Sequence, residues 1–454
     1  MKAPRITIAG VQSGVGKTTI SIGIMGALKR KGYRVQGFKI GPDFIDPSYH
    51  TMITGIPSRN LDSWMLKKQR IKELFALAMR NSDIAVIEGV MGLFDGFSGL
   101  DETGSTIQIT RLLRIPIILI VDVWGMARSA AAIVLGYKKM AGNIPMAVIL
   151  NRVGGKTHAQ WTIDAIKEIT GIQVVGVIPW NQEIKLPERH LGLIPAIETK
   201  PTETLNMIVD FISQHVDLDK IIELAKSAPE IPDIQPFKEK EKKVKIAIAL
   251  DEAFNFYYKD GLETLERLGA EIIPFSPLHD KKLPDNINGL YIGGGFPEMF
   301  AKQLEENQSI QTAIKKYAED EIPILAECGG LMYLTKYIFD FHKRKYKMIG
   351  LLDADTIMTK KLHLNYTLAE TIRTNPITPK NTKIKGHEFH YSEIINIPYD
   401  IKMIYRMKIG EGIANKMDGW LEHSTVASYM HIHLASNIKI PMKFINSSKK
   451  FVHS

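Results

Sequence analysis

Two stretches of this chain place reactive groups at a spacing that chemistry can use. The first is Gly10-Val11-Gln12-Ser13-Gly14-Val15-Gly16-Lys17-Thr18-Thr19. It follows a short apolar run (residues 6–9) and opens a helix-like stretch (19–31). Glycines let backbone N–H groups turn onto phosphate oxygens, and a helix start adds positive partial charge. Lysine at position 17 reaches outer phosphates, and the Thr18 hydroxyl suits Mg²⁺. Gly14, Gly16, Lys17, Thr18 and Thr19 are therefore candidate nucleotide-binding residues, with ATP and Mg²⁺ as the expected cofactors. Gly10 stands one place further upstream than the common spacing, because Val11 holds the usual position.

The next strand-like run (34–40) ends in Lys39-Ile40-Gly41-Pro42-Asp43-Phe44-Ile45-Asp46-Pro47-Ser48-Tyr49-His50. Two carboxylates three residues apart beside a lysine suit Mg-ATP chemistry. A later apolar run (84–87) leads into Glu88-Gly89-Val90-Met91-Gly92-Leu93-Phe94-Asp95-Gly96. An acid after a parallel strand points to the same sheet edge as the phosphate loop. Asp43, Glu88 and Asp95 join Thr18 as candidate metal ligands; Asp43, Asp46 and Glu88 are candidate catalytic acids, and Lys39 a candidate nucleotide contact. Each acid taken alone reads equally as a helix cap or turn residue. Asn151, closing another strand-like run, has an amide able to donate to and accept from an adenine edge, although Asn is also a common turn former.

The second reactive stretch is Glu327-Cys328-Gly329-Gly330, between a strand-like run (323–326) and a helix-like one from Leu331. Cys328 is the chain's single cysteine, so a disulfide within the chain and a cysteine-cluster metal site are excluded. A lone cysteine is commonly a buried small hydrophobe. On a strand-to-helix elbow, however, the sulfur is expected to be exposed and the helix start to favour thiolate. Gly329 leaves room for a backbone N–H facing a developing oxyanion. Gly294 and Gly295, in Gly293-Gly294-Gly295-Phe296-Pro297-Glu298, form a second turn able to supply a donor. A nucleophilic cysteine needs a base, and Ala427-Ser428-Tyr429-Met430-His431-Ile432-His433 offers His431, with both histidines on one side of a strand.

The elements that must position these groups are α/β throughout. Apolar runs at 84–87, 116–121, 146–150 and 174–178 read as strands of a parallel sheet covered on both faces. A break at 227–243, with Pro229, Pro232, Pro236 and the lysines Lys238, Lys240, Lys242 and Lys243, reads as a linker. Strand–helix alternation restarts at 245–249 and continues through a helix (260–268) and strands at 272–275 and 290–292. The expected domains are 1–226, carrying the phosphate loop, and 244–454, carrying the cysteine. Of the 454 residues, 45% are hydrophobic and 24% charged, and the formal net charge is +9. That balance is a lysine-rich surface or an attraction for anions; no nucleic-acid-binding motif accompanies it. The most apolar run (115–121) is far short of the roughly 20 residues of a membrane helix, and the N-terminus lacks a signal peptide's apolar core. A cytoplasmic protein is expected.

Together these motifs, with Gly386-His387-Glu388-Phe389-His390-Tyr391-Ser392, resemble the cobyrinic acid a,c-diamide synthase family over nearly the whole chain. The resemblance implies an N-terminal phosphate-loop domain similar to dethiobiotin synthetase and a C-terminal class I glutamine amidotransferase domain. It implies that Cys328 forms a glutamyl thioester, with glutamine as nitrogen donor, and that His431 activates it. Many class I amidotransferases place a glutamate two residues after that histidine; here His433 stands there. It further implies that ATP phosphorylates an acetate carboxylate, aided by Lys17, Lys39 and Mg²⁺ held near Asp43, Asp46 and Glu88. Ammonia from Cys328 then displaces phosphate. The substrate implied is a polyanionic tetrapyrrole, either cobyrinate in cobalamin formation or Ni-sirohydrochlorin in coenzyme F430 formation, as in methanogens. A homodimer is compatible with this reading. Competing readings are a cobyric acid synthase, amidating other side chains, and an ATP-gated module with an inert glutaminase fold. Partition-type ATPases carry a lysine where this chain has Gln12, which speaks against a dimerising ATPase.

Overall fold

Near-continuous apolar runs cannot leave one face to water, so they assemble as central parallel strands. The computed structural model shows this arrangement twice. It describes residues 1–452 apart from 183, 185, 190, 191 and 236–238. The chain divides into two compact units, Met1–Pro236 and Phe237–Ser454.

Among the described residues the first unit holds a seven-stranded parallel sheet. Its strands are β1 (Arg5–Gly10), β2 (Val35–Ile40), β3 (Arg59–Leu61), β4 (Ile84–Gly92), β5 (Ile117–Asp122), β6 (Met146–Val153) and β7 (Gln173–Pro179). Their order is β3-β2-β4-β1-β5-β6-β7. β1 and β2 are buried along their whole length. Helices α1 (Lys17–Arg30) and α2 (Ile45–Thr54) follow β1 and β2. Since β1 lies beside β4, and β4 beside β2, the segments leaving these strands meet at one carboxyl edge, where ligands of such sheets bind. The short β3 and helix α2 were not legible in the sequence. Pro47 reads as a breaker, yet it falls in the first turn of α2, where its missing N–H costs nothing.

The second unit continues the α/β pattern on one side only. Strands Ala270–Phe275, Val244–Ala249, Gly289–Ile292, Ile324–Glu327 and Thr425–Ser428 pair in parallel in that order. The sheet then turns antiparallel through Met417–Glu422, Lys402–Ile409 and Asp355–Thr371. Among the described residues this sheet has twelve strands. A long pairing of Asp355–Thr371 with Lys383–Ile395 puts His363 opposite His390 and Tyr366 opposite His387. Lys383–Ile395 also pairs with the short strand His431–Ile432, setting His387 opposite His431. The sheet therefore gathers histidines from distant parts of the sequence. Of the expected linker, Ile231 N donates to the Met1 carbonyl and Lys243 N to the Gly269 carbonyl; Pro236 and Lys238 lie outside the described residues. Among the described residues no helix is long and apolar enough to cross a membrane.

Candidate active sites

The phosphate loop runs from the end of β1 to Gly16, whose φ of 91° is a left-handed conformation suited to glycine. A Cβ at Gly16 would also stand 2.6 Å from Asn151 Nδ2. α1 has no side-chain cap and no acid in its first turn, so its leading N–H groups and positive dipole end remain available to an anion. Lys17 Nζ donates to the Gln12 carbonyl at 3.1 Å, back across the loop. Burial, and then neighbouring Lys39, lowers the Lys17 pKa to about 8. Asn151 Nδ2 donates to the Val15 carbonyl at 2.9 Å, while Oδ1 accepts from Arg152 N. In this structure Asn151 braces the loop.

Two of the acids expected near the nucleotide, Asp46 and Glu88, converge on one hydroxyl and one ammonium group. Thr18 Oγ1 donates to Glu88 Oε1 at 2.7 Å and lies 3.3 Å from Asp46 Oδ2, the alternative acceptor for its single proton. Lys39 Nζ bridges Asp46 Oδ2 at 2.5 Å and Glu88 Oε1 at 2.8 Å. Asp43 is 3.6 Å from Lys39, but its Oδ1 accepts from the backbone N–H groups of Ile45 and Asp46 and so caps α2. Asp95, expected among the metal ligands, instead accepts from Gly92 N and does not line the cavity here. The carboxylates at Thr18 are thus Asp46 and Glu88, with Asp46 in the place expected of Asp43.

Glu88 is fully buried. Burial opposes its ionisation, but Lys39 and His50 outweigh this and hold its carboxyl well below the usual range. His50 Nε2 is 2.7 Å from Glu88 Oε2. Burial opposes charge on Lys39 as well, yet Asp46, Glu88 and Asp43 keep it an ammonium. Thr18, Lys39, Asp43, Asp46 and Glu88 line a cavity of about 620 Å³ that also reaches Asn151 and Trp180. An adjoining cavity of about 350 Å³ contains Gln12, Trp124 and Trp180, neither tryptophan having been singled out in the sequence. Among the described residues no group of three His, Cys, Asp or Glu is disposed to hold a metal by itself. The oxygen donors Thr18, Asp46 and Glu88 nevertheless fit Mg²⁺, which takes few protein ligands and completes its shell with phosphate and water.

In the second unit Cys328 joins strand Ile324–Glu327 to helix Gly329–Leu334 with φ 48° and ψ −100°. A side chain rarely tolerates this backbone, and such strain is characteristic of a nucleophile elbow. Cys328 N donates to the Ser428 carbonyl at 2.7 Å. The expectation of an exposed sulfur fails: Cys328 is only 3% exposed, with Sγ 3.6 Å from the Phe389 carbonyl. Burial first, and Glu298 next, push its thiol up. The helix behind it has only six residues, so its dipole is slight. A base is correspondingly important.

The turn Gly294–Gly295 is pressed between the elbow and the histidine. A Cβ on Gly294 would overlap Cε1 of His431, and a Cβ on Gly329 would lie 3.1 Å from Gly295 N. His431 is fully buried, and burial lowers its pKa to about 3, leaving a neutral imidazole able to take a proton. Its ring stacks on His387 at 4.8 Å. His387 Nε2 pairs with Tyr258 Oη at 2.6 Å, and Tyr258 stacks on His433 at 4.5 Å. His433 lies past the short strand, not within it. Sequence reasoning gave no role to His50, Tyr258 or His387; their partners are remote in sequence, and only a buried histidine at a motif's end could have hinted at them.

Residues 6–194 match the model of the CobQ/CobB/MinD/ParA nucleotide binding domain. Residues 245–438 match that of the CobB/CobQ-like glutamine amidotransferase domain. Similar proteins include a cobyrinate a,c-diamide synthase of Dehalococcoides mccartyi, 44% identical with 99% of each chain covered. The chain belongs to the cobyrinate a,c-diamide synthase family. Relatives of the same description from Methanobrevibacter smithii and Caldanaerobacter subterraneus are each 43% identical, covering 95% and 98% of this chain and 96% and 98% of theirs. As a family member the chain is a glutamine-dependent amidating ligase with a nucleotide-binding unit.

Proposed function

We propose that this enzyme amidates the a- and c-acetate carboxylates of cobyrinate, using ATP and glutamine. The observation that carries the reading is the convergence of Thr18, Lys39, Asp46 and Glu88 beside an uncapped phosphate-loop helix. Such a site suits phosphoryl transfer from ATP to a substrate carboxylate. Lys17 and Lys39 neutralise charge as the outer phosphoryl group passes to the acetate oxygen. Thr18, Asp46 and Glu88 would hold Mg²⁺, which supplies charge neutralisation at the phosphates when bound. In the second unit His431 takes the Cys328 proton, and the thiolate attacks the glutamine amide carbon. Backbone N–H groups of Gly295 and Gly329 are the candidate oxyanion donors. The imidazolium returns that proton to the leaving nitrogen, releasing ammonia and a glutamyl thioester that water hydrolyses to glutamate and free Cys328. The ammonia displaces phosphate from the acyl phosphate.

If the substrate is labelled with ¹⁸O in its acetate groups, an acyl phosphate route delivers one label to inorganic phosphate per amide formed. Unlabelled phosphate would refute it. Mass spectrometry of products from cobyrinate and Ni-sirohydrochlorin, run in parallel, tests the substrate. Diamide from cobyrinate supports the proposal, and diamide from Ni-sirohydrochlorin alone moves the enzyme to coenzyme F430 formation. The relatives' common description as cobyrinate a,c-diamide synthases favours the former. The second unit's intact cysteine and imidazole speak against an inert glutaminase fold.

A further inference from the structure

The position two residues after His431, where an acid would orient the base, holds His433, which stacks on Tyr258. An acid reaches His431 from another direction. Glu327 immediately precedes the nucleophile and is buried beneath it at 2% exposure. Its Oε1 accepts from Ile432 N at 2.9 Å, fixing the backbone next to the histidine. Its Oε2 accepts from Tyr291 Oη at 2.8 Å and lies 3.9 Å from His431 Nδ1. A carboxylate oxygen can accept two hydrogen bonds, so Oε2 retains capacity for the imidazole. The gap is about 1 Å longer than a hydrogen bond, a distance that catalytic contacts commonly close when substrate binds.

We propose that Glu327 is the positioning acid of the glutaminase site, orienting His431 through Nδ1 and stabilising the imidazolium formed when Cys328 loses its proton. This rests on the glutaminase reading of Cys328. An acceptor at Nδ1 places the ring proton there and leaves Nε2 bare to act as base. Strand pairing makes the arrangement economical: Glu327 stands opposite Ser428 in parallel register, three residues before His431. One short segment therefore carries both the nucleophile and the group that orients its base. Burial raises the Glu327 pKa to about 7, against the donors Ile432 N and Tyr291 Oη, and a positive imidazolium beside it favours the ionised form further.

The test is Glu327→Gln, which keeps shape and can still accept from Ile432 N. Glutamine-dependent kcat should fall on the order of 10²-fold with the KM for glutamine little changed. Alkylation of Cys328 by iodoacetamide, readable because it is the chain's single cysteine, should slow in parallel. Ammonia-dependent amidation, which bypasses this site, reports that the protein is folded. Glu327→Asp keeps the charge one methylene shorter and should regain part of both rates; it also carries the test if the Gln variant does not fold. Parental kcat and alkylation in Glu327→Gln, or no advantage of Asp over Gln, would overturn the proposal. If instead Cys328→Ala retains glutamine-dependent amidation, the glutaminase reading itself fails.

Discussion

Gly294 lies against the ring of His431 so closely that any side chain at that position would overlap Cε1. The glycine turn and His431, the proposed base, are 137 positions apart in a 454-residue chain and meet in the fold. Gly294→Ala should displace the imidazole and lower the glutamine-dependent rate about 10²-fold, the usual cost of an ångström-scale misplacement. Steady-state assays with glutamine and with ammonium salt check this; an unchanged glutamine rate would mean that His431 is not the base.

At the phosphate site the critical connection is between Glu88 and its two nitrogen-bearing neighbours, Lys39 and His50. Glu88→Ala removes the 2.8 Å partner of Lys39, leaving it Asp46 and the more distant Asp43, and deprives buried His50 of its 2.7 Å partner. Removing one member of a buried ion pair costs about 3–5 kcal/mol. Urea unfolding should show a lower midpoint for this variant, and amidation should fail with either nitrogen source. Wild-type stability would show that the cluster is not held by Glu88.

Acid sensitivity follows from the histidine. The pKa of His431 falls to about 3 in the folded chain through burial, against about 6.5 when unfolded. Between those values the unfolded chain binds a proton that the folded chain excludes, so stability is full above pH 6.5 and is lost as pH falls toward 3. His431→Asn should therefore lose less stability than the parent on acidification, the difference growing by about 1.4 kcal/mol per pH unit. Denaturation curves from pH 7 to pH 4 measure it. Parallel pH dependence in both proteins would contradict a buried neutral imidazole.

The sequence was most informative where one segment held a whole device. The phosphate loop needs a strand, glycines, Lys17 and a helix start, all contiguous, and β1 and α1 follow that reading. Val244–Ala249 and Ile324–Glu327 were legible for the same reason, as apolar runs in a parallel sheet. The antiparallel half of the second sheet was not, because strands such as Lys402–Ile409 mix buried and exposed positions without clean alternation. Asp43 and Asp46 could not be told apart by spacing. Which one caps α2 and which meets Thr18 depends on where the helix begins. The elbow at Cys328 is legible in the sequence, but its burial is not: the Phe389 carbonyl against its sulfur comes from a distant segment.

Paired nitrogen-source assays of Cys328→Ala and Lys17→Ala decide whether two sites share one amidation. With ATP and the tetrapyrrole, Cys328→Ala should lose amidation from glutamine while keeping amidation from ammonia, and Lys17→Ala should lose both. Glutamine-dependent product from the cysteine variant, or full activity in the lysine variant, would contradict it.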